Sequence, residues 1–215
     1  MSAAVALFAK APEAGRVKTR MSPPLSPEDA ARVALGCLEI SLRRFVPAVD
    51  APFTLFLDGA PGDRILELAR SGRIAIVPQA DGGLGARLRA AFASLRAQGH
   101  DAVVAIGSDS PTLDPARIRE AVTALETHDV ALGPCEDGGY YLIGLRGNRP
   151  EIFEDIPWST PEVARATRRR AVALGLTVRE LPEWYDVDDL PSLERAIADV
   201  ESDFRTLIEL PALRG

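Results

Sequence analysis

The chain has 215 residues, 47% hydrophobic and 26% charged, with a net charge of -6 and a pI near 5.1. That is enough for one sizeable domain, and the acidic balance argues against general binding to nucleic acid or anionic membranes, which needs a broad excess of Lys and Arg. No apolar run approaches the roughly 20 residues of a membrane span, and the Val5 to Ala9 run lacks a basic leader, so the chain reads as cytoplasmic.

The first strand-like run, "AAVALFA", leads into "KAPEAGRVKTRM". Arg16, Lys18 and Arg20 alternate there, and an extended backbone would throw all three cations to one side. With amides freed by Gly15, the segment suits an array of phosphate oxygens, although the P-loop pattern is absent. Ser26-Pro27 then marks a helix start, an N-cap oxygen followed by a first-turn proline. Two further strands, "FTLFLD" and "IAIVP", precede "PQADGGLGARL". Its glycines open an amphipathic helix carrying Leu88, Phe92 and Leu95, where backbone could approach a ligand; a plain turn with Arg87 exposed to solvent is the competing reading.

The strand "AVVAIGSD" ends at Asp109, and Pro111 holds Ser110 extended, so the carboxylate projects from the strand tip as a metal ligand would. Asp114-Pro115 marks the next helix. Too few residues separate "VALGP" from "YYLIGL" for a crossover, so the pair predicts an antiparallel hairpin with Asp137-Gly138 as a two-residue turn. The stretch "RGNRPEIFEDIPWSTPE" reads as a long loop over one edge, with Trp158 packed on the core and Thr160-Pro161 starting another helix. After the strand "LTVREL" comes "WYDVDDL", where Asp189 caps a helix and leaves Asp186 and Asp188 on one side of an extended segment, free to meet a cation.

Alternating strands and helices imply one α/β domain over residues 1–215, with a mixed, mostly parallel sheet covered on both faces and a ligand site beyond the carboxyl ends of its strands. His100 and His128 read as surface turn residues, which argues against a Ser-His-Asp or His-metal mechanism. Cys37 and Cys135, without CxxC spacing, read as buried thiols.

Taken in order, "FAKAPEAGRVKTRM", "GSDSPTL", "GPCEDGGYYLIGL", "PWST" and "WYDVDDL" resemble the small bacterial glycosyltransferase-A-type (GT-A) proteins of the nucleotide-diphospho-sugar transferase superfamily, a branch similar to the phospholactate guanylyltransferases. The resemblance implies a Rossmann-like three-layer domain and a nucleotide cradled by Ala9, Gly15, Arg16, Lys18 and Arg20, with Gln79 and Gly85 near the base. It implies Mg2+ or Mn2+ on Asp109, with Asp188 as second carboxylate and Asp186 as the alternative. Asp137 would face the acceptor, and Lys18, Arg20, Asp109 and Asp137 would form the catalytic set. The ending "DVDDLPSL" departs from the branch's usual DVDTPEDL. The expected partners are a nucleotide donor and a small-molecule acceptor. Nucleotidyl transfer is preferred over glycosyl transfer, and a nucleotide-binding regulatory protein without turnover is the alternative from another class.

Overall fold

The computed structural model describes residues 1–199, and the last part of the expected 1–215 domain lies outside the described residues. Seven strands form one sheet: β1 Ala3–Lys10, β2 Phe53–Asp58, β3 Ala75–Pro78, β4 Ala102–Gly107, β5 Val130–Pro134, β6 Tyr140–Arg146 and β7 Val178–Glu180. Their order is β3-β2-β1-β4-β6-β5-β7, parallel throughout except for β6, which runs antiparallel to β4 and β5. All seven expected strands form, and the single antiparallel strand is the one whose connection is too short for a helix.

Side chains alternate across the central strands, which is why β1, β4 and β6 read as continuous apolar runs with both faces covered. Val5, Leu7, Val104 and Ile106 meet the helices α1 (Pro27–Phe45), α2 (Asp63–Gly72) and α4 (Pro115–Ala124). Ala4, Ala6, Val103 and Ala105 meet α3 (Leu84–Ala97) and α5 (Val163–Ala173) on the other side. Outside α1 lies α6 (Leu190–Asp199), whose Leu193 and Ala196 pack with Val33, Cys37 and Ile40 around Tyr185 and Val187. This contact anchors the segment that carries Asp186 and Asp188.

Two of the three expected helix starts hold. Ser26 accepts from the Asp29 N–H at 3.1 Å, and Asp114 accepts from the Ala116 N–H at 2.8 Å, each with proline next in line. The third does not: α5 begins at Val163, and Thr160 closes a preceding turn by accepting from the Glu162 N–H at 3.3 Å. The β5–β6 turn also differs from the expected two-residue form. The Cys135 N–H donates to the Gly139 carbonyl and the Gly138 N–H to Cys135, so the loop spans three residues, with Gly138 in the left-handed region at φ +87°. A Cβ there would lie 2.0 Å from the Pro161 carbonyl oxygen, so the position needs glycine on two counts. The 146–162 stretch is more ordered than a surface loop: Ile152 and Phe153, in a short 3-10 turn, are buried against α3.

Candidate active site

The order β2-β1-β4 puts a topological switch between β1 and β4, because α1 returns on one face of the sheet and α3 on the other. In open α/β sheets the crevice beyond the strand ends at such a point is where ligands sit. Here the segment after β4 meets the segment between β7 and α6: the Val187 N–H donates to the Asp109 carbonyl at 2.7 Å. Tyr185 and Val187 are buried in the α1–α6 core, so the alternating backbone turns Asp186 and Asp188 toward Asp109. Asp189 is the helix cap, accepting from the Ser192 N–H at 3.0 Å while the Ser192 hydroxyl oxygen accepts from the Asp189 N–H at 3.0 Å.

Lys18 reaches into this acidic corner from the first crossover. Its ammonium donates to Asp109 Oδ1 and to Asp188 Oδ1, the latter at 3.0 Å, and its side chain is only 5% exposed. Burial works against the charge, but the Asp109 and Asp188 carboxylates outweigh it and hold the Lys18 pKa above the ordinary lysine value. The backbone at Lys18 sits at φ 47°, a conformation that costs a non-glycine residue about 1–2 kcal/mol. Sequence positions 18, 109 and 188 thus converge on one spot.

The expectation that Arg16, Lys18 and Arg20 alternate along an extended strand is overturned. The chain turns at Arg16, whose N–H donates to the Glu13 carbonyl at 3.0 Å, and Thr19–Met21 is a 3-10 turn closed by Met21 N–H to the Lys18 carbonyl. The three cations still share one cavity, but through a tight loop that leaves Arg16 and Arg20 exposed and buries Lys18. Arg16 pairs with Glu13 at 2.7 Å, and Arg20 lies 3.8 Å from Asp189.

Three cavities meet at the acidic corner. The first, about 500 Å3, runs from Phe8, Ala9 and Lys10 to Gly83 and Arg87 and reaches Asp109 and Asp186. The second, about 260 Å3, holds Lys10, Arg16, Lys18 and Arg20 and reaches Asp109 and Asp188. The third, about 320 Å3, lies between the hairpin and α6, contains Asp137, Tyr185 and Arg195, and reaches Asp186 and Asp188. Each cavity therefore shares a carboxylate with each of the others.

Asp186 and Asp188 are not equivalent. Asp186 accepts from the Ser110 hydroxyl and is mostly buried beside Cys135; burial, reinforced by the neighbouring Asp109 and Asp188 charges against the Ser110 hydrogen bond, pushes its pKa up to about 6. Asp188 is 41% exposed and faces the same cation as Asp109. Among the described residues no three His, Cys, Asp or Glu side chains form a closed metal cage. The Lys18 ammonium does show that Asp109 and Asp188 converge on a single positive charge, and hard carboxylate oxygens in pairs suit Mg2+ or Mn2+.

Other expected site residues have structural duties. Gln79 donates through Nε2 to the Ala9 and Phe56 carbonyls at 2.9 and 3.0 Å, tying off the ends of β1 and β2. Arg87 is not solvated: it donates to Asp58 Oδ2 at 2.7 Å, to Gln79 Oε1 at 3.0 Å and to the Gly82 carbonyl at 2.9 Å. Gly85 is buried under the Trp158 indole, which stands edge-on to Tyr140 at 6.4 Å. Gly15 is a left-handed turn residue with open space around it. Asp137 accepts from the Gly139 N–H at 2.8 Å and stays exposed at the third cavity. His100 and His128 lie in turns beside Ser2 and Thr127 hydroxyls, and both cysteines are buried free thiols.

The sequence reading missed Asp58, Lys10 and Arg195. Asp58 ends a strand just as Asp109 follows one, and that signal was available. Arg195 could not be foreseen: it bridges to both Glu136 oxygens at 2.9 and 3.0 Å and stacks 3.7 Å over the Tyr185 ring, a contact made only by docking α6 beside the hairpin.

Comparison with solved structures places this fold in a known group. A protein from Desulfovibrio desulfuricans G20, provisionally named a nucleotide-diphospho-sugar transferase, is 28% identical, with a TM-score of 0.83 over 97% of this chain and 93% of the other. A CMP:2-keto-3-deoxy-manno-octonic acid synthetase complexed with CTP shares the fold at 15% identity and TM-score 0.61, over 94% of this chain and all of the other. So does Rv0371c of Mycobacterium tuberculosis H37Rv in complex with manganese, at 15% identity and TM-score 0.54, over 92% and 99%. The fold is that of GT-A and nucleotidyltransferase enzymes, and no described helix is long and apolar enough to cross a membrane. No curated protein matches the sequence. Residues 41–160, more than half the chain and including Asp109, match the family described as uncharacterized protein conserved in bacteria, DUF2064, and the chain belongs to that family.

Proposed function

We propose that the protein is a divalent-cation-dependent transferase that takes a nucleoside triphosphate or nucleotide sugar as donor, with nucleotidyl transfer as its reaction. The observation that carries this reading is the meeting of Lys18 with Asp109 and Asp188 where three cavities join. The nucleoside would occupy the first cavity, its phosphates the cationic second one, and the acceptor the third. Two proteins of this fold, one complexed with CTP and one with manganese, support a nucleotide donor and a divalent cation.

Asp109 and Asp188 would hold Mg2+ or Mn2+, with Asp186 oriented behind them by Ser110. When bound, the ion supplies charge neutralisation and polarisation at the reacting phosphate. Lys18, whose ammonium would leave Asp109 and Asp188 to the ion, and the exposed Arg20 would stabilise charge on the phosphoryl oxygens and on the departing pyrophosphate. An acceptor oxygen entering from the third cavity attacks the α-phosphorus in line, and no covalent nucleophile is required. Asp137, which lines that cavity, would accept the acceptor's proton.

Glycosyl transfer is the second reading, favoured by the name of the 28% identical Desulfovibrio protein. In that case the same groups would stabilise a departing nucleoside diphosphate while an acceptor hydroxyl attacks the sugar carbon. Incubating the protein with each nucleoside triphosphate and nucleotide sugar, with and without Mg2+ or Mn2+, separates the two. Pyrophosphate release is the expected product signal. Nucleoside diphosphate release would replace the reading with glycosyl transfer, and metal-dependent binding without either product would make the protein a nucleotide-binding regulator.

A further inference from the structure

A fourth cavity of about 390 Å3 opens between α3 and the 147–153 segment, at the opposite end of the sheet from Asp109. Its wall residue Leu145 pairs with Val103 near the start of β4, whereas Asp109 lies beyond the end of that strand. The two cavities share no lining residue, although α3 borders both, the first through Leu84, Arg87 and Leu88 and the fourth from Arg89 to Arg96.

Its lining has a distinct chemistry. Phe92 and Phe153, with ring centroids 5.4 Å apart, close the floor, and the exposed Ala93 of α3 leaves the groove open above them. Arg89, Arg96 and Arg149 stand around it, and no carboxylate lines it, whereas each cavity at the other end carries at least two. None of the three arginines forms an ion pair among the described residues. Arg96 donates one Nη1 to the His100 and Asp101 carbonyls, both at 2.8 Å, which fixes its guanidinium beside the groove. Arg149 makes one long hydrogen bond to the Asn148 carbonyl at 3.3 Å. Three arginines without an acidic partner among the described residues thus surround one apolar cavity in a chain with 31 acidic against 25 basic residues. Guanidinium groups bind oxyanions in a fixed fork geometry, and pockets of about 300–1,000 Å3 with an apolar floor and few polar groups are typical of small-ligand sites.

We propose that this cavity binds a compact organic anion, its ring or short chain lying on the Phe92 and Phe153 floor and its oxyanion shared by Arg89, Arg96 and Arg149. The site is independent of the catalytic reading, and a ligand there would contact α3, the helix whose amino end borders the first cavity.

The probe is 1-anilinonaphthalene-8-sulfonate, an aromatic anion whose fluorescence rises on binding, compared with N-phenyl-1-naphthylamine, which lacks the sulfonate. The expected result is one saturable site for the sulfonate, at least tenfold weaker binding of the neutral analogue, and displacement of the sulfonate by benzoate or phenyl phosphate. Arg89→Ala with Arg149→Ala should weaken the sulfonate at least tenfold, Ala93→Phe should block it, and Lys18→Met should leave it unchanged. Circular dichroism of the variants separates loss of binding from loss of fold. Equal affinity in wild type and both groove variants would overturn the proposal, as would equal binding of the neutral analogue, failure of both displacers, or displacement by Mg2+-nucleotide.

Discussion

At the scale of single residues, geometry assigns positions that sequence alone leaves open. Gly85 was expected near a nucleobase, yet a Cβ there would come within 2.7 Å of Trp158 Nε1 and 2.9 Å of two ring carbons. Its role is close packing: Trp158 lies across the first turn of α3 and closes the wall shared with Tyr140. Gly85→Ala should therefore destabilise the protein by about 1–3 kcal/mol, as overpacking does, and alter tryptophan emission as the indole is displaced. An unchanged melting temperature and spectrum would remove this account of the glycine. Lys18 shows the reverse case. Its residue type and nearness to the first strand pointed to phosphate, but its left-handed backbone and near-complete burial depend on the turn at Arg16, which no alternation pattern announces. Asp186 and Asp188 likewise read as equal partners in "WYDVDDL", and only packing separates the buried one from the exposed one.

At the scale of elements, the seven strands and the single antiparallel hairpin were legible because apolar runs and connection lengths are local signals. The Ser26 and Asp114 caps were legible for the same reason. What escaped was long-range: α5 starts at Val163, two residues beyond Pro161, because the preceding turn packs against Gly138, and the 146–162 stretch is held by Ile152 and Phe153 under α3. The edge strand β7 shows how one side chain secures an element of three residues. Asp129, at the start of β5, accepts from the Thr177 N–H at 3.0 Å and the Thr177 hydroxyl at 2.8 Å, and pairs with Arg146 at 3.2 Å. The Thr177 backbone and hydroxyl hydrogen bonds, then Arg146, hold its carboxyl below the ordinary aspartate value against the opposing effect of burial. A carboxyl depressed in the folded state stabilises above its unfolded pKa, about 3.9, and that contribution is lost as pH falls through the folded value. Asp129→Asn should cost about 1 kcal/mol at pH 7, the scale of a charge-assisted hydrogen bond weakened to a neutral one. The difference from wild type, followed by urea unfolding across pH, should shrink toward zero below the folded value. A difference that stays constant into acid would show that charge is not what secures the strand.

At the scale of the whole molecule, the sheet brings together groups that lie far apart in sequence. The first crossover supplies the cations, β4 supplies Asp109, and α6, packed outside α1, holds Asp186 and Asp188 against it. The family match spans only the middle of these three contributions, so the first and last reach the site through the fold alone. That convergence is the central claim, and calorimetric titration of a nucleoside triphosphate into the protein, with Mn2+ and then with the metal chelated, tests it most directly. Wild type should bind at least tenfold more tightly with Mn2+, and Asp109→Ala should remove that metal dependence while its circular dichroism and melting temperature stay near wild type. Binding in the variant with unchanged affinity and unchanged response to Mn2+ would contradict the account.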